Sequence, residues 1–233
     1  MFDSNLEKYL NTGFQNVYGF CPEYTIFMLD FLQSLDFNKN YGVMEIGIHH
    51  GQFFIALNNT VINPAFKSVA IDIFDRQDLN IDNSGEGIKE IFIDNLAKYD
   101  RYAGENVIIV EGDSTDKFIF DGIDIPKKFK YISVDGGHTA EHLISDITLA
   151  SNHICNEGLV IVDDYMNHWW PSVTEGLFKY LSTTPTLVPL MTTPNKMWLC
   201  KLSYKSKYYE ALDGFEANKH EVTIFGHKVM NFW

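Results

Sequence analysis

Five short runs rich in β-branched residues recur between residues 43 and 163, and each gives way to glycine or to an acidic residue. They cover residues 43–46, 68–73, 107–111, 131–135 and 159–163. Their apolar character is nearly continuous, as in strands buried on both faces. Helical patterns lie between them: Ile88, Ile91, Phe92, Leu96 and Tyr99 mark one, and Ala140, Leu143, Ile144, Ile147 and Ala150 mark another. Alternation of this kind predicts an α/β fold with a parallel sheet and right-handed crossovers. Ligands of such sheets bind beyond the carboxyl ends of the strands.

Around this centre the chain is less regular. Residues 22–35 place Tyr24, Phe27, Met28, Phe31, Leu32 and Leu35 on one helical face, with Pro22 suited to the first turn. Residues 186–190 and 196–202 flank a Thr193-Pro194-Asn195 turn and predict a final antiparallel pair. The stretch beyond Ser203 carries no clear period. With 233 residues, 45% of them hydrophobic, the chain suits one domain. The expected division is a helical extension over 1–40, a ligand-binding domain over 41–203 and a tail over 204–233 packed on it. Residues 74–87 are long and turn-rich on the ligand side of the sheet, and read either as a lid or as a plain surface loop.

The net charge of −13 repels phosphate backbones, and no Lys/Arg run offsets it, so nucleic acid is not expected as a partner. Three cysteines without CxxC spacing argue against a disulfide framework. The first residues lack the basic and apolar stretches of a signal peptide, and no run is long enough for a membrane span. A cytoplasmic protein without membrane contacts is therefore expected. The 18 Phe and 12 Tyr, with the unassigned tail, leave room for a homodimer.

The loop after the first run separates two nucleotide classes. Dinucleotide folds use GxGxxG, because pyrophosphate must approach bare backbone. Here Gly47 and Gly51 are separated by three residues, with His49 at the second glycine position. S-adenosylmethionine (SAM) has no phosphate and does not require that approach. Its ammonium would find Glu45 nearby, and Asp72 ends the second run, where an acidic group can bind two ribose hydroxyls. Asp113 and Ser114 follow the third run.

The segments VMEIGIHHGQF, AIDIFDRQDLNIDNSGEG, VEGDS, VDGGHTAEH and LVIVDDY, between residues 43 and 165, resemble class I SAM-dependent methyltransferases of the group called methyltransferase family 24. The resemblance implies a Rossmann-like methyltransferase fold with a mostly parallel seven-stranded sheet. It also implies that Glu45, Gly47 and Gly51 hold the methionine end, Asp72 the ribose, and Asp113 and Ser114 the adenine. Asp135 would then lie between cofactor and acceptor.

Asp135 ends the fourth run, and Asp163 and Asp164 end the fifth. Three carboxylates meeting at one rim repel one another. A divalent cation relieves this, and oxygen ligands suit Mg²⁺ or Mn²⁺. Similar sugar and small-molecule O-methyltransferases carry such a triad, with an acidic pair before tyrosine, matched here by Asp163-Asp164-Tyr165. Some carry an aspartate two residues after the first ligand; this chain has Gly137 there, and His138 is the nearest base. His138 also suits ordering the following helix. His49, His50 and His142 read as packing or backbone-bonding residues before catalytic ones. His168-Trp169-Trp170 reads as an acceptor platform or as a clamp on the next helix. The expectation is a metal-assisted O-methyltransferase acting on a small acceptor such as a sugar or nucleotide-sugar. The alternatives are metal-independent transfer to oxygen or nitrogen, and a non-catalytic binding protein.

Overall fold

The computed structural model of the chain describes residues 4–35, 37, 40–183 and 185–233. Two helices, α1 (Ser4–Thr12) and α2 (Glu23–Ser34), precede the sheet. The parallel core then runs β1 (Gly42–Ile46), α3 (Gln52–Asn59), β2 (Ser68–Asp72), α4 (Lys89–Tyr99), β3 (Val107–Glu111), β4 (Phe129–Val134), α5 (Ala140–His153), β5 (Ile154–Val162) and α6 (Pro171–Ser182). The chain ends in β6 (Leu187–Thr193), β7 (Lys196–Lys201), α7 (Leu202–Leu212), β8 (Lys219–Ile224) and β9 (His227–Phe232).

The strands form one sheet in the order β3-β2-β1-β4-β5-β7-β6-β9-β8. The first five are parallel, and β7 pairs antiparallel with both β5 and β6. All of β1 and β4 is buried, as their continuous apolar runs require. Successive residues serve opposite faces: Val43 packs toward α1, α2 and α3, while Met44 packs toward α5 and α6. The first five predicted strands are present; β3 has the predicted ends, and the others are displaced by one to five residues. The largest displacement is in β5, which leaves α5 directly at Ile154.

Two expectations need correction. Among the described residues the sheet has nine strands rather than seven, because the unassigned tail forms a hairpin. Its β9 pairs parallel with β6 at Met191–Met230 and Thr192–Asn231, covering backbone that would otherwise face solvent. The turn is Phe225-Gly226, both at positive φ (48° and 75°), the geometry of a two-residue hairpin loop. The second correction concerns the face of α2. It buries Thr25, Ile26, Met28, Leu29, Leu32 and Gln33, whereas Phe27 is 39% exposed. Tyr24 and Phe31 instead meet Phe215 of the tail, with ring centroids 6.1 and 5.0 Å away. The helix is therefore covered on two sides, and a single stripe misplaces its buried face.

Among the described residues no helix is long and apolar enough to cross a membrane. The three cysteines are free thiols. Trp198 of β7 is fully buried, and its indole N–H donates to Thr193 Oγ1 at 3.0 Å. Replacing it by alanine removes a large packed side chain and leaves that hydroxyl without its donor. Urea unfolding of Trp198→Ala is expected to show a loss of about 3–5 kcal/mol. A loss below about 1 kcal/mol would mean that β7 is not the packed strand described.

Candidate active site

A cavity of about 590 Å³ opens at the carboxyl ends of the parallel strands, within the roughly 300–1,000 Å³ common for small-molecule sites. It lies where the strand order reverses between β1 and β4, the place such sheets leave a crevice. Gly47 makes the crevice possible. Its φ is +84°, and a Cβ there would stand 1.8 Å from the carbonyl oxygen of Asp135. Only glycine lets the ends of β1 and β4 come this close.

Of the predicted cofactor residues, Gly47, Asp72, Asp113, Ser114 and Asp135 line the cavity. Asp72, expected from sequence to bind the ribose, has both its oxygens on backbone N–H groups of the neighbouring loops. Its Oδ2 accepts from the backbone N–H groups of Ile48 (2.5 Å) and His49 (2.8 Å), and its Oδ1 from that of Phe74 (2.6 Å). Asp113 Oδ1 accepts from the N–H and hydroxyl of Thr115 at 2.8 and 2.7 Å. Glu45 and Gly51 stand off the wall. Glu45 is buried behind it; burial pushes its carboxyl up to about 8, against the opposing charge of Lys196. Gly51 begins α3, and a Cβ there would strike the ring of Phe92 at 2.6 Å.

Asp135, Asp163 and Asp164 all line the cavity, but they do not form one open triad. Asp163 already has its partners. Its Oδ2 accepts from the ammonium of Lys196, and its Oδ1 from the N–H of Asp164 and the amide of Asn195, both at 2.9 Å. Lys196 is fully buried at the start of β7, with its ammonium 4.9 Å from the centre of the Phe53 ring. Burial works against that charge, and Asp163 outweighs it, so the Lys196 pKa is raised. A lysine thus supplies part of the positive charge assigned from sequence to a metal, and Asp163 is not a free ligand.

Asp135 is different. Among the described residues no hydrogen bond reaches its carboxylate, and burial, then Asp163, raise its pKa well above the ordinary range. Ligand atoms of Asp135, His138 and Asp164 lie within 4.8 Å of one another. A carboxylate without donors, facing a second carboxylate across a cavity, fits a hard divalent cation. Such ions are often held by one or two carboxylates, with substrate oxygens and water completing the shell.

His138 stands between acids. Its Nε2 is 3.0 Å from Asp164 Oδ2 and its Nδ1 is 2.8 Å from Asp82 Oδ2. Trp170 stacks on the ring at 4.2 Å and 17°. Burial lowers the His138 pKa, but the hydrogen bonds to Asp164 and Asp82 outweigh it, and the pKa is raised. Burial likewise works to raise Asp82, yet bonds from Ser84 and His138 hold it at about 2. Asp82 belongs to residues 74–87, so this loop covers the cavity and is no bystander.

Of the other candidate histidines, His49 and His142 also line the cavity, and each has a local contact. His142 Nδ1 lies 2.8 Å from Thr139 Oγ1, the N-cap of α5. The His49 and His50 rings lie 4.1 Å apart, tilted by 38°, and both meet the ring of Tyr18. Trp169, 74% exposed, and Phe20, 76% exposed, stand at the mouth. Sequence reasoning missed Asp82, Asn195 and Lys196. The one available signal was a lysine heading the apolar run of β7.

A methyltransferase-domain family model matches residues 44–165. No curated protein matches the chain. Among solved structures, the chain is similar to CalS11, a TDP-rhamnose 3'-O-methyltransferase of calicheamicin biosynthesis. Identity is 20%, over 83% of this chain and 86% of that one, with a TM-score of 0.53. It is similar to the O-methyltransferase TomG from Streptomyces achromogenes, solved with SAM, at 17% identity over 85% and 88%, TM-score 0.54. MycE of the mycinamycin pathway, solved with Mg and SAH, matches at 18% identity over 86% of this chain and 55% of its own, TM-score 0.57. At these identities the likeness is one of fold.

The Lys196–Asp163 pair predicts a paired response to mutation. Lys196→Met leaves the largely buried carboxylate of Asp163 without its cation, and chemical denaturation is expected to show a loss of about 3–5 kcal/mol. Adding Asp163→Asn removes that charge and is expected to restore most of the loss. A single variant as stable as the wild type would contradict the pairing.

Proposed function

Because the chain belongs to the SAM-dependent methyltransferases, whose domain model spans more than half of it, we propose that it methylates a hydroxyl of a small acceptor, with His138 as the base. The observation that carries this is the placement of His138 at the cavity wall, stacked on Trp170 and flanked by Asp82 and Asp164. SAM takes the side lined by Gly47, Asp72, Asp113 and Ser114. The acceptor takes the side lined by Asp135, Trp169 and Phe20.

In this reading His138 Nε2 removes the hydroxyl proton as the oxygen attacks the methyl carbon. The O–CH₃ bond forms, the S–CH₃ bond breaks, and the sulfonium becomes the neutral thioether of S-adenosylhomocysteine. The proton ends on His138. Holding oxygen, methyl and sulfur in line supplies much of the rate. Asp135 and Asp164 would hold Mg²⁺ or Mn²⁺, which polarises the acceptor oxygen and lowers its pKa when bound. Asp163, paired with Lys196, keeps Asp164 and Asn195 in place. A second, metal-independent reading is favoured by one observation: Lys196 already brings positive charge to these carboxylates.

Among the described residues no lysine or arginine lines the cavity, whereas Asp72, Asp82, Asp113, Asp135, Asp163 and Asp164 do. The part of the acceptor that enters is therefore uncharged or cationic. A sugar ring fits, and the exposed faces of Trp169 and Phe20 suit its C–H surface. The phosphates of a nucleotide-sugar would remain outside. The free thiols suit a cytoplasmic setting.

The test is transfer of labelled methyl from SAM to a panel of sugars, glycosides and nucleotide-sugars, with Mg²⁺ and with a chelator. Loss of turnover in chelator is expected; full turnover there would select the metal-independent reading. His138→Phe is expected to lower turnover by about 10²–10⁴-fold, and wild-type turnover in that variant would remove His138 from the chemistry.

The base must be neutral to accept the proton. Since the folded pKa of His138 is raised, kcat/KM should fall as pH drops through a value above the ordinary histidine pKa of about 6.5. A pH profile falling only below that value would contradict the assignment.

A further inference from the structure

Residues 74–87 are anchored to the site at both ends and in the middle. At the start, the Phe74 N–H donates to Asp72 Oδ1 at 2.6 Å. At the end, Gly87 packs on the same oxygen: a Cβ there would lie 3.3 Å from it and 3.3 Å from the carbonyl oxygen of His49. In the middle, Asp82 Oδ2 accepts from the backbone N–H of His138 and lies beside its Nδ1, both at 2.8 Å. The other oxygen, Oδ1, accepts from the N–H and hydroxyl of Ser84 at 3.0 and 2.5 Å. One carboxylate therefore joins the loop to the base across 56 positions of sequence.

The ring of His138 has two freedoms that matter for aim. Stacking on Trp170 at 17° sets its plane. Within that plane, the partners at Nδ1 set which edge faces the cavity: Asp82 Oδ2 at 2.8 Å, and Ser84 Oγ at 3.0 Å, which Asp82 Oδ1 itself holds. Nε2 is then turned toward Asp164 and the acceptor side. We propose that Asp82 is the positioning residue of His138, and that it reaches the ring only while residues 74–87 lie closed, so covering the cofactor and aiming the base are one event. Cofactor at Asp72 acts on both ends of the loop, and the loop carries its effect to His138. The proposal rests on the reading of the cavity as a SAM site and of His138 as the base.

The test needs no acceptor. S-adenosylhomocysteine is bound to wild-type protein and to Asp82→Asn, Asp82→Glu and His138→Phe. In ¹⁵N-histidine spectra, the wild-type complex is expected to show a slowly exchanging Nδ1–H signal, assigned by its absence in His138→Phe. It should vanish in Asp82→Asn and return in part in Asp82→Glu. Amide hydrogen exchange in residues 74–87 should be slowed by S-adenosylhomocysteine in the wild type and be faster by about tenfold or more in Asp82→Asn. His138→Phe should release the loop similarly, and the double variant should add nothing. An unchanged Nδ1–H signal and unchanged loop exchange in Asp82→Asn overturn this proposal alone. Wild-type protein that does not bind S-adenosylhomocysteine overturns the cofactor reading, and the proposal with it.

Discussion

The contact between Gly47 and the backbone of Asp135 draws the ends of β1 and β4 together, and the site is built around it. Helices leave these two strands in opposite directions along the sheet, so a crevice opens above their junction. The Asp135 N–H donates to the carbonyl of Ile46 at 2.8 Å, and the Gly47 N–H to that of Ile71 at 2.9 Å. These bonds continue the parallel ladder past the strand ends and fix where the polar side chains emerge. Non-glycine residues at positive φ surround the same place: His49, Phe74, Asn83, Asp164 and Asn195. Backbone conformations of this kind persist where packing over-determines them, and they gather at functional sites.

Topology that concentrates carboxylates also creates a charge problem. Asp135, Asp163, Asp164 and Asp82 meet at one rim, with Glu45 buried behind it. The chain answers with Lys196 on Asp163 and His138 between Asp82 and Asp164. Among the described residues Asp135 is left without a donor, and that carboxylate is where a cation has most to offer. In the proposed reading the same acidity disfavours an anionic acceptor.

How much of this was legible in sequence depended on whether the signal was local. The run at 107–111 gave its strand without displacement, because its apolar residues are unbroken. The start of β5 was hidden by Asn156, Glu157 and Gly158, which interrupt the pattern while remaining in the strand. The final hairpin was hidden because β8 is mostly polar and buries none of its residues fully, and its turn uses Phe225 where Asn or Asp is usual. At the site, acids that end strands could be placed from topology alone. Lys196 could not, since it reaches Asp163 only through the antiparallel return that sets Met197 opposite Val162. Asp82 could not either, since a turn-rich loop carries no period to say which carboxylate faces inward.

The account stands on the cavity being a SAM site, and calorimetric titration of SAM into the purified protein tests this most directly. Binding in the micromolar range, weakened at least about tenfold by Asp72→Ala, is the predicted result. No heat of binding to the wild type, with or without Mg²⁺, would contradict the assignment of the cavity and every chemical role derived from it.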